Sequence, residues 1–368
     1  MKILSILGTR PEAIKMAPVI KELDKFPQEL TSVICVTGQH RQMLDQVLQL
    51  FDIYPHLDLN LMQPNQRLAT LTARLFEELD RVVEQVQPDW ILAQGDTTTV
   101  FVAAVTAYYH GVRFGHVEAG LRTLDKRRPF PEEMNRRLAD AATDVYFAPT
   151  ERARQALLRE GFADAAIHVT GNTIVDALLE ISRRPFDWNG SALSAVPQDE
   201  RMVLITAHRR ESFGEPFREL CHAIRELAAR FVNIRFIYPV HLNPNVRRPV
   251  GDILSGLNNV HLIEPLDYAA LVHLMKRSTL ILTDSGGIQE EAPTFGVPVL
   301  VMRDATERPE GVEAGIAKLV GTRRESIVAA ASRALSEEQP AAHRESMVNP
   351  YGDGRAAQRI VQLLRNGG

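Results

Sequence analysis

The chain has 368 residues, long for one hydrophobic core and enough for about two domains of ~100–200 residues each. Its 45% hydrophobic and 24% charged content suits a soluble globular protein, and a formal net charge of -4 argues against a large nucleic-acid footprint. Its two cysteines, Cys35 and Cys221, sit in apolar patterns without metal-ligand spacing, which points to a reducing compartment and leaves no disulfide framework and no metal site to propose. The first apolar run, residues 3–7, is too short for a signal-peptide core and no stretch reaches membrane-spanning length. A cytoplasmic protein with no membrane partner is expected.

In chain order, the apolar runs 3–7, 32–37, 90–93, 114–117, 145–147 and 167–170 read as strands. Amphipathic helices are expected between them at 11–25, 41–51, 68–85, 98–110, 132–142 and 150–160. Strand–helix alternation at this spacing predicts an α/β architecture of parallel sheets with helices on both faces. The pattern breaks at 183–199, rich in Pro, Ser, Gly and charge, which reads as a linker. It restarts with strands at 202–206, 234–238, 260–263, 280–283 and 297–301. Two doubly wound domains are therefore expected, 1–182 and 183–354, with a cleft between their rows of strand ends. A last amphipathic helix near the C-terminus, within 355–368, either packs on the second domain or crosses back to the first.

Open parallel sheets bind ligands beyond the carboxyl ends of their strands, so the strand-to-helix junctions carry the functional argument. After the first strand comes Gly8-Thr9-Arg10-Pro11-Glu12, with capping-box spacing between Thr9 and Glu12 and Pro11 at a helix start. Arg10 and Lys15 are cations near a helix N-terminus, the disfavoured sign for a helix alone and the right one for an anion site. In Gln94-Gly95-Asp96-Thr97-Thr98, Asp96 is either a helix cap or a carboxylate held at a strand tip. Glu118, in His116-Val117-Glu118-Ala119-Gly120, is a second acid at an equivalent point, and two carboxylates facing one site can move a proton off one face and onto another. Glu132 and Glu133 begin a helix behind Pro131 and have i,i+4 spacing to Arg136 and Arg137, so that helix start is equally well read as structural.

In the second half, His208 ends a strand ahead of Arg209 and Arg210, placed to meet a phosphate; His241 is a weaker case of the same kind. Thr283-Asp284-Ser285-Gly286-Gly287 reads as a strand that turns tightly on two glycines into a helix, the best phosphate cradle in the chain. Glu291 follows one turn later, where an acid can accept from a ribose diol, and Arg303 and Arg308 add cations. No G-x-G-x-x-G or Walker A run is present, which weakens dinucleotide and P-loop readings.

These blocks together resemble the bacterial non-hydrolysing UDP-N-acetylglucosamine 2-epimerases. The resemblance spans essentially the whole chain. It rests on GTRPEAIKMAP from Gly8, QHRQMLDQVL from Gln39, GDTTT from Gly95, HVEAGLRT from His116 and PEEMNR from Pro131. It continues through HRRES from His208, PVHLNPNVR from Pro239, TDSGGIQEEAP from Thr283 and NPYGDG from Asn349. It implies a glycosyltransferase-B-like fold of two Rossmann-like domains, an interdomain site, a homodimer, and no nicotinamide cofactor. The implied reaction interconverts UDP-N-acetylglucosamine and UDP-N-acetylmannosamine through elimination of UDP to a 2-acetamidoglucal, and typically feeds cell-surface polysaccharide synthesis.

Carried over by motif, the resemblance makes Asp96, Glu118 and Glu132 acid/base candidates and places His208 near the leaving diphosphate. It assigns Arg10, Lys15, Ser285, Gly286, Gly287, Glu291 and Arg308 to the nucleotide, without settling which acid serves which face. Gln39, Gln42, Arg209 or Arg210, and His241 match a second, allosteric site for UDP-N-acetylglucosamine seen in some members. Two departures stand out: Leu266 and Leu271 occupy positions where some members carry Gln and Phe near the base, and an arginine expected near Asn65 is absent, with Arg67 close by. A transferase of the same fold, a hydrolysing epimerase and a silent nucleotide-sugar sensor are the competing readings.

Overall fold

The computed structural model describes residues 1–38, 41–62, 66–198, 200–336 and 349–367. Among these, the strands form two all-parallel sheets, each with a compact unit of its own. The first unit comprises Met1–Ala177 and Tyr351–Gly368, the second Leu178–Pro350.

The seven-stranded sheet of unit 1 contains β1 (Lys2–Leu7), β2 (Thr31–Val36), β3 (Leu57–Asp58), β4 (Trp90–Gln94), β5 (Arg113–Val117), β6 (Val145–Ala148) and β7 (Ile167–Val169). Their order is β3-β2-β1-β4-β5-β6-β7. The six-stranded sheet of unit 2 contains β8 (Arg201–Thr206), β9 (Ile234–Pro239), β10 (Val260–Ile263), β11 (Leu280–Thr283), β12 (Val299–Val301) and β13 (Ala317–Leu319), in the order β10-β9-β8-β11-β12-β13. The expected strands are all present. The very short β3 and β13 give no pattern that sequence alone could read.

Parallel strands covered on both faces lose the apolar–polar alternation, and the central strands here are near-continuous apolar runs. All five residues of β4 are buried. The helix Thr98–Tyr109 covering it is buried over most of its surface, whereas Leu68–Val86 presents a stripe of Leu71, Leu75, Leu79, Val82 and Val83. In unit 2, Val203, Ile205, Phe236 and Tyr238 pack with Phe217, Leu220, Ile224 and Leu227 of helix Glu215–Arg230.

Both sheets reverse direction beside their first strand, between β1 and β4 and between β8 and β11. These are the switch points where helices diverge to opposite faces and a crevice opens at the carboxyl edge. The register brings Ile6 beside Ala93 and Thr206 beside Thr283, so the junctions after each pair of strands are neighbours.

The segment expected as a linker is packed into unit 2. Trp188, Leu193 and Val196 are buried, and the Trp188 indole donates to Val196 O at 3.0 Å. Three apolar anchors suffice to fix a stretch whose remaining composition reads as loop. The division of the chain falls inside helix Thr173–Arg183 instead.

Tyr351–Gly368 belongs to unit 1. The carboxylate of Asp176 accepts from the backbone N–H groups of Ala357 at 2.9 Å and Ala356 at 3.2 Å, capping the last helix, Ala356–Arg365, whose own N-cap Arg355 makes no side-chain cap. Asn172 N donates to Tyr351 O at 2.7 Å, and Arg365 forms a two-pronged ion pair with Glu29 at 2.8 Å.

Near the β1–β4 switch point the expected capping box takes another form. Thr9 makes no side-chain cap; Glu12 Oε2 accepts instead from Gly8 N at 3.0 Å, and Oε1 from the Thr97 hydroxyl at 2.7 Å. Glu12 thus ties the turn after β1 to the turn after β4. Burial raises its carboxyl to about 7, and these hydrogen bonds only partly oppose the shift.

Two predictions follow from these buried acids. A carboxyl whose folded pKa lies above its unfolded value makes the native state bind more protons between the two, so its contribution to stability falls with rising pH. Between pH 4.5 and 7 the wild type is expected to lose about 3 kcal/mol relative to Glu12→Gln; parallel denaturation curves across that window would disprove it. Asp176→Ala should cost about 1–2 kcal/mol and speed amide exchange in Ala356–Arg365 while leaving unit 2 amides unchanged.

Candidate active site

In unit 1 the acids gather at the carboxyl ends of β4 and β5, adjacent strands in the sheet. Glu118, one residue past β5, is buried with a positive φ of 67°, a conformation uncommon outside glycine. Its N–H donates to Phe147 O at 3.0 Å, holding the backbone against β6. Lys15 Nζ donates to both carboxylate oxygens at 2.8 and 2.7 Å, and the Gln94 amide adds another donor.

Asp96 sits on the turn after β4. The cap of helix Thr98–Tyr109 is Thr97, whose hydroxyl accepts from Val100 N at 3.4 Å, so the Asp96 carboxylate is not used as a cap. Arg136 Nη2 donates to Asp96 Oδ2 at 2.6 Å, and the Asn135 side chain donates to Asp96 O at 3.0 Å. The Asp96 side chain stays 29% exposed, enough for a ligand to reach it.

Both Asn135 and Arg136 come from helix Glu132–Ala141. The expected i,i+4 pairs within it do not form: Arg136 reaches Asp96 and Glu133, and Arg137 lies 4.0 Å from Glu160. A tertiary carboxylate outcompetes a partner on the same helix because it is already fixed and partly desolvated. Glu133 is fully buried and accepts from Thr123 N at 3.1 Å, while Glu132 is half-buried and its Oε2 has no hydrogen-bond partner among the described residues.

A buried chain of charges stands behind these acids. His116 Nδ1 lies 2.6 Å from Asp140 Oδ1, and Arg122 donates to Asp140 Oδ2 at 2.6 Å and to Glu160 at 2.8 Å. His116 Nε2 lies 2.7 Å from Gly95 O. Burial opposes the charged forms of both His116 and Asp140, yet their mutual attraction outweighs it, raising the imidazole and lowering the carboxyl.

Arg10 is the first residue of helix Arg10–Leu23, half-buried beside the switch point and without an ion-pair partner among the described residues. Lys15, from the same helix, is engaged by Glu118.

In unit 2 the cluster forms at the β8–β11 switch point. Asp284 is fully buried after β11, and its Oδ2 accepts from the backbone N–H groups of His208 and Arg209, each at 2.7 Å. That pair of bonds clamps the turn after β8 onto the turn after β11. His208 Nδ1 lies 3.5 Å from Asp284 Oδ1, and the ring stacks on His241 with centroids 5.4 Å apart. Burial holds His208 below the ordinary imidazole range; Asp284 pulls the other way, and the charges of His241 and Arg209 add to the lowering.

The double glycine does not turn the chain. Gly286 and Gly287 are the first residues of the short helix Gly286–Glu291, neither with a positive φ. A Cβ on Gly286 would meet only Arg209 Nη2, at 3.5 Å, and one on Gly287 only Glu291 and Ser285 side-chain atoms at 3.8 and 3.9 Å. The glycines therefore keep the helix start bare, with Arg209 reaching over it. The Ser285 hydroxyl makes no cap bond, and Glu291 is buried, its carboxylate turned towards Gly287.

The neighbouring arginines are engaged by acids. Arg308 pairs with buried Glu290, and Arg303 with Glu211 at 2.7 Å and Glu307 at 3.0 Å. Burial disfavours the Glu307 carboxylate, but the Arg303 guanidinium prevails and pulls it down to about 2. Arg210 and His241 are exposed, and Leu266 is buried. Gln39 and Asn65 lie outside the described residues, and Gln42 lies on helix Arg41–Leu50 with its side chain undescribed.

Sequence reasoning missed Asp284, Glu12, Arg136 and the His116–Asp140–Arg122 chain as parts of this machinery. Asp284 carried a signal, since an acid directly after a buried strand has nowhere to go but the junction. Asp140, inside an amphipathic helix, carried none.

A family model described as UDP-N-acetylglucosamine 2-epimerase matches residues 21–365. The UDP-N-acetylglucosamine 2-epimerase of Escherichia coli K12 is 50% identical over 372 residues, covering 100% of this chain and 99% of that protein. The UDP-GlcNAc 2-epimerase of Neisseria meningitidis, solved bound to UDP-GlcNAc, is 46% identical with a TM-score of 0.88 and 100% coverage of both chains. The Methanocaldococcus jannaschii enzyme, solved with UDP-GlcNAc and UDP, is 35% identical with a TM-score of 0.83, again covering 100% of both. The two parallel-sheet α/β units are those of a glycosyltransferase-B-like fold. By full-length identity and by fold, the chain belongs to the UDP-N-acetylglucosamine 2-epimerase family, a family of isomerases.

Proposed function

We propose that this chain interconverts UDP-N-acetylglucosamine and UDP-N-acetylmannosamine by eliminating UDP and adding it back, without releasing free sugar. Family membership supports the substrate and the inversion at C2. The observation that carries the mechanism is the placement of two carboxylates, Asp96 and Glu118, at the carboxyl ends of adjacent strands, each meeting a cation from a different helix.

A C2 hydrogen is barely acidic, and a carboxylate of ordinary pKa ~4 cannot remove it unaided. If the C1–O bond breaks first, its electron pair leaves with the diphosphate and the ring becomes cationic. The C2 proton then passes to a carboxylate as the C1–C2 double bond of a 2-acetamidoglucal forms. Return of a proton to the opposite face, with re-addition of UDP at C1, completes the inversion. Three acids of unit 1, Asp96, Glu118 and Glu132, are the candidates for these transfers.

In the same reading unit 2 holds the UDP. Ser285, Gly286 and Gly287 offer a bare helix start, and with Arg209, Arg308 and His208 they supply donors for the departing diphosphate. Glu291 is the acid for the ribose diol, and the family resemblance carries Arg10 and Lys15 over as further nucleotide residues. Arg209 or Arg210, and His241, with Gln39 and Gln42, constitute the activator reading; a strictly hyperbolic rate curve, with UDP-N-acetylmannosamine converted unaided, would exclude it. The reading extends to a cytoplasmic homodimer supplying cell-surface polysaccharide synthesis, which rests on the family resemblance alone.

Incubation with UDP-N-acetylglucosamine in D₂O, followed by NMR, should give UDP-N-acetylmannosamine deuterated at C2 in a mixture that stops at equilibrium. Free sugar with UDP would indicate hydrolysis, and acceptor-dependent UDP release a transferase. Asp96→Asn and Glu118→Gln are each expected to slow C2 exchange by about 10²–10⁴-fold while UDP still binds. Near-normal exchange in both variants would refute the acid/base assignment.

A further inference from the structure

His116 is the penultimate residue of β5, its ring fully buried between the Gly95 carbonyl and the Asp140 carboxyl group. Nε2 faces the Gly95 carbonyl at 2.7 Å and Nδ1 faces the Asp140 carboxylate at 2.6 Å. A carbonyl has no proton to give. The other oxygen of Asp140 takes a hydrogen bond from Arg122 at 2.6 Å, which favours the ionised carboxylate. Nε2 must therefore carry a proton and one more lies between Nδ1 and Asp140, where the Arg122 bond favours its place on the ring, as an imidazolium.

The bond to Gly95 acts on the turn that presents Asp96. Gly95 has a φ of 89°, a conformation that residues with a Cβ rarely adopt. Its N–H donates to Val117 O at 3.0 Å, and its C=O accepts from His116, so β5 holds both polar groups of that residue. One residue later Asp96 begins, and one residue beyond Val117 comes Glu118. The same strand thus carries one carboxylate and anchors the turn of the other.

We propose that His116 is a positioning residue whose two N–H bonds fix the Asp96 turn to β5 and thereby set the spacing between the Asp96 and Glu118 carboxylates. The inference rests on the acid/base reading of those two residues and adds the group that holds them in register. A misplacement of about 1 Å can cost on the order of 10²-fold in rate, so the spacing matters to turnover more than to nucleotide affinity.

Two substitutions separate positioning from mere support of the fold. His116→Asn retains a donor towards Asp140 but cannot reach Gly95, whereas His116→Gln places its donor near the Gly95 carbonyl; both remove the buried charge. His116→Asn is expected to lower kcat by about 10²-fold, with His116→Gln within ~10-fold of wild type, and KM and UDP affinity within ~3-fold in both. In an Asp96→Asn background, His116→Asn should cost no more than ~3-fold further, because it acts through Asp96. Wild-type kcat in His116→Asn, equal losses in the two substitutions, or a full additional loss in the Asp96→Asn background would each overturn the proposal. If neither variant folds, ¹⁵N NMR of histidine-labelled wild type at about pH 8 decides: protons on both His116 nitrogens support it, and a singly protonated ring overturns it. Wild-type turnover by Asp96→Asn alone would instead remove the acid assignment beneath it, a result distinct from any His116 outcome.

Discussion

Every strand in each sheet runs the same way, so within a unit all strand-to-helix junctions emerge at one edge. That single constraint makes residues far apart in sequence neighbours without any side-chain interaction to assemble them. In unit 1 it sets Gly8, Asp96 and Glu118 on consecutive junctions of β1, β4 and β5. In unit 2 it does the same for His208 and Ser285. The order reversal beside β1 and beside β8 then clears helices from above the junction, leaving room at the place where the functional groups converge.

Crowding acids at such an edge requires compensation, and among the described residues it comes from helix side chains, from Gln94 at the end of β4 and from groups on the turns. Lys15 serves Glu118, Arg136 serves Asp96, Arg308 serves Glu290, and backbone N–H groups serve Asp284. Carboxylates removed from water are costly unless paired, so these partners are conditions of the fold before they are features of chemistry. The partners differ in kind across the two units. In unit 1 the cations Lys15 and Arg136 meet the carboxylates at the strand tips, while in unit 2 Asp284 is held by backbone N–H groups beside a bare helix start.

The element order and the candidate strand tips were legible because long apolar runs, helical periodicity and junction chemistry agree with one another at those places. Asp96, Glu118 and His208 stood out for that reason. The failures have particular causes. The stretch around Trp188 reads as linker by composition, although three buried side chains anchor it. The pairing expected between Glu132 and Arg136 yields to a carboxylate from another element, which no local spacing encodes. The glycines after Ser285 read as a turn because glycine favours turns; here they matter for the side chains they lack. Asp140 and Arg122 are invisible in sequence since their meaning lies wholly in reaching His116.

The chain leaves unit 1 at Ala177 and re-enters it at Tyr351, so unit 2 is an insertion within the first unit and neither terminus belongs to it. During synthesis Leu178–Pro350 emerges in full before the helix Ala356–Arg365 exists. The second-made unit can thus finish folding first, while the first-made unit waits for the helix that Asp176 caps and whose Arg365 pairs with Glu29. A nascent chain stalled just after Pro350 would carry a complete unit 2 and an unfinished unit 1.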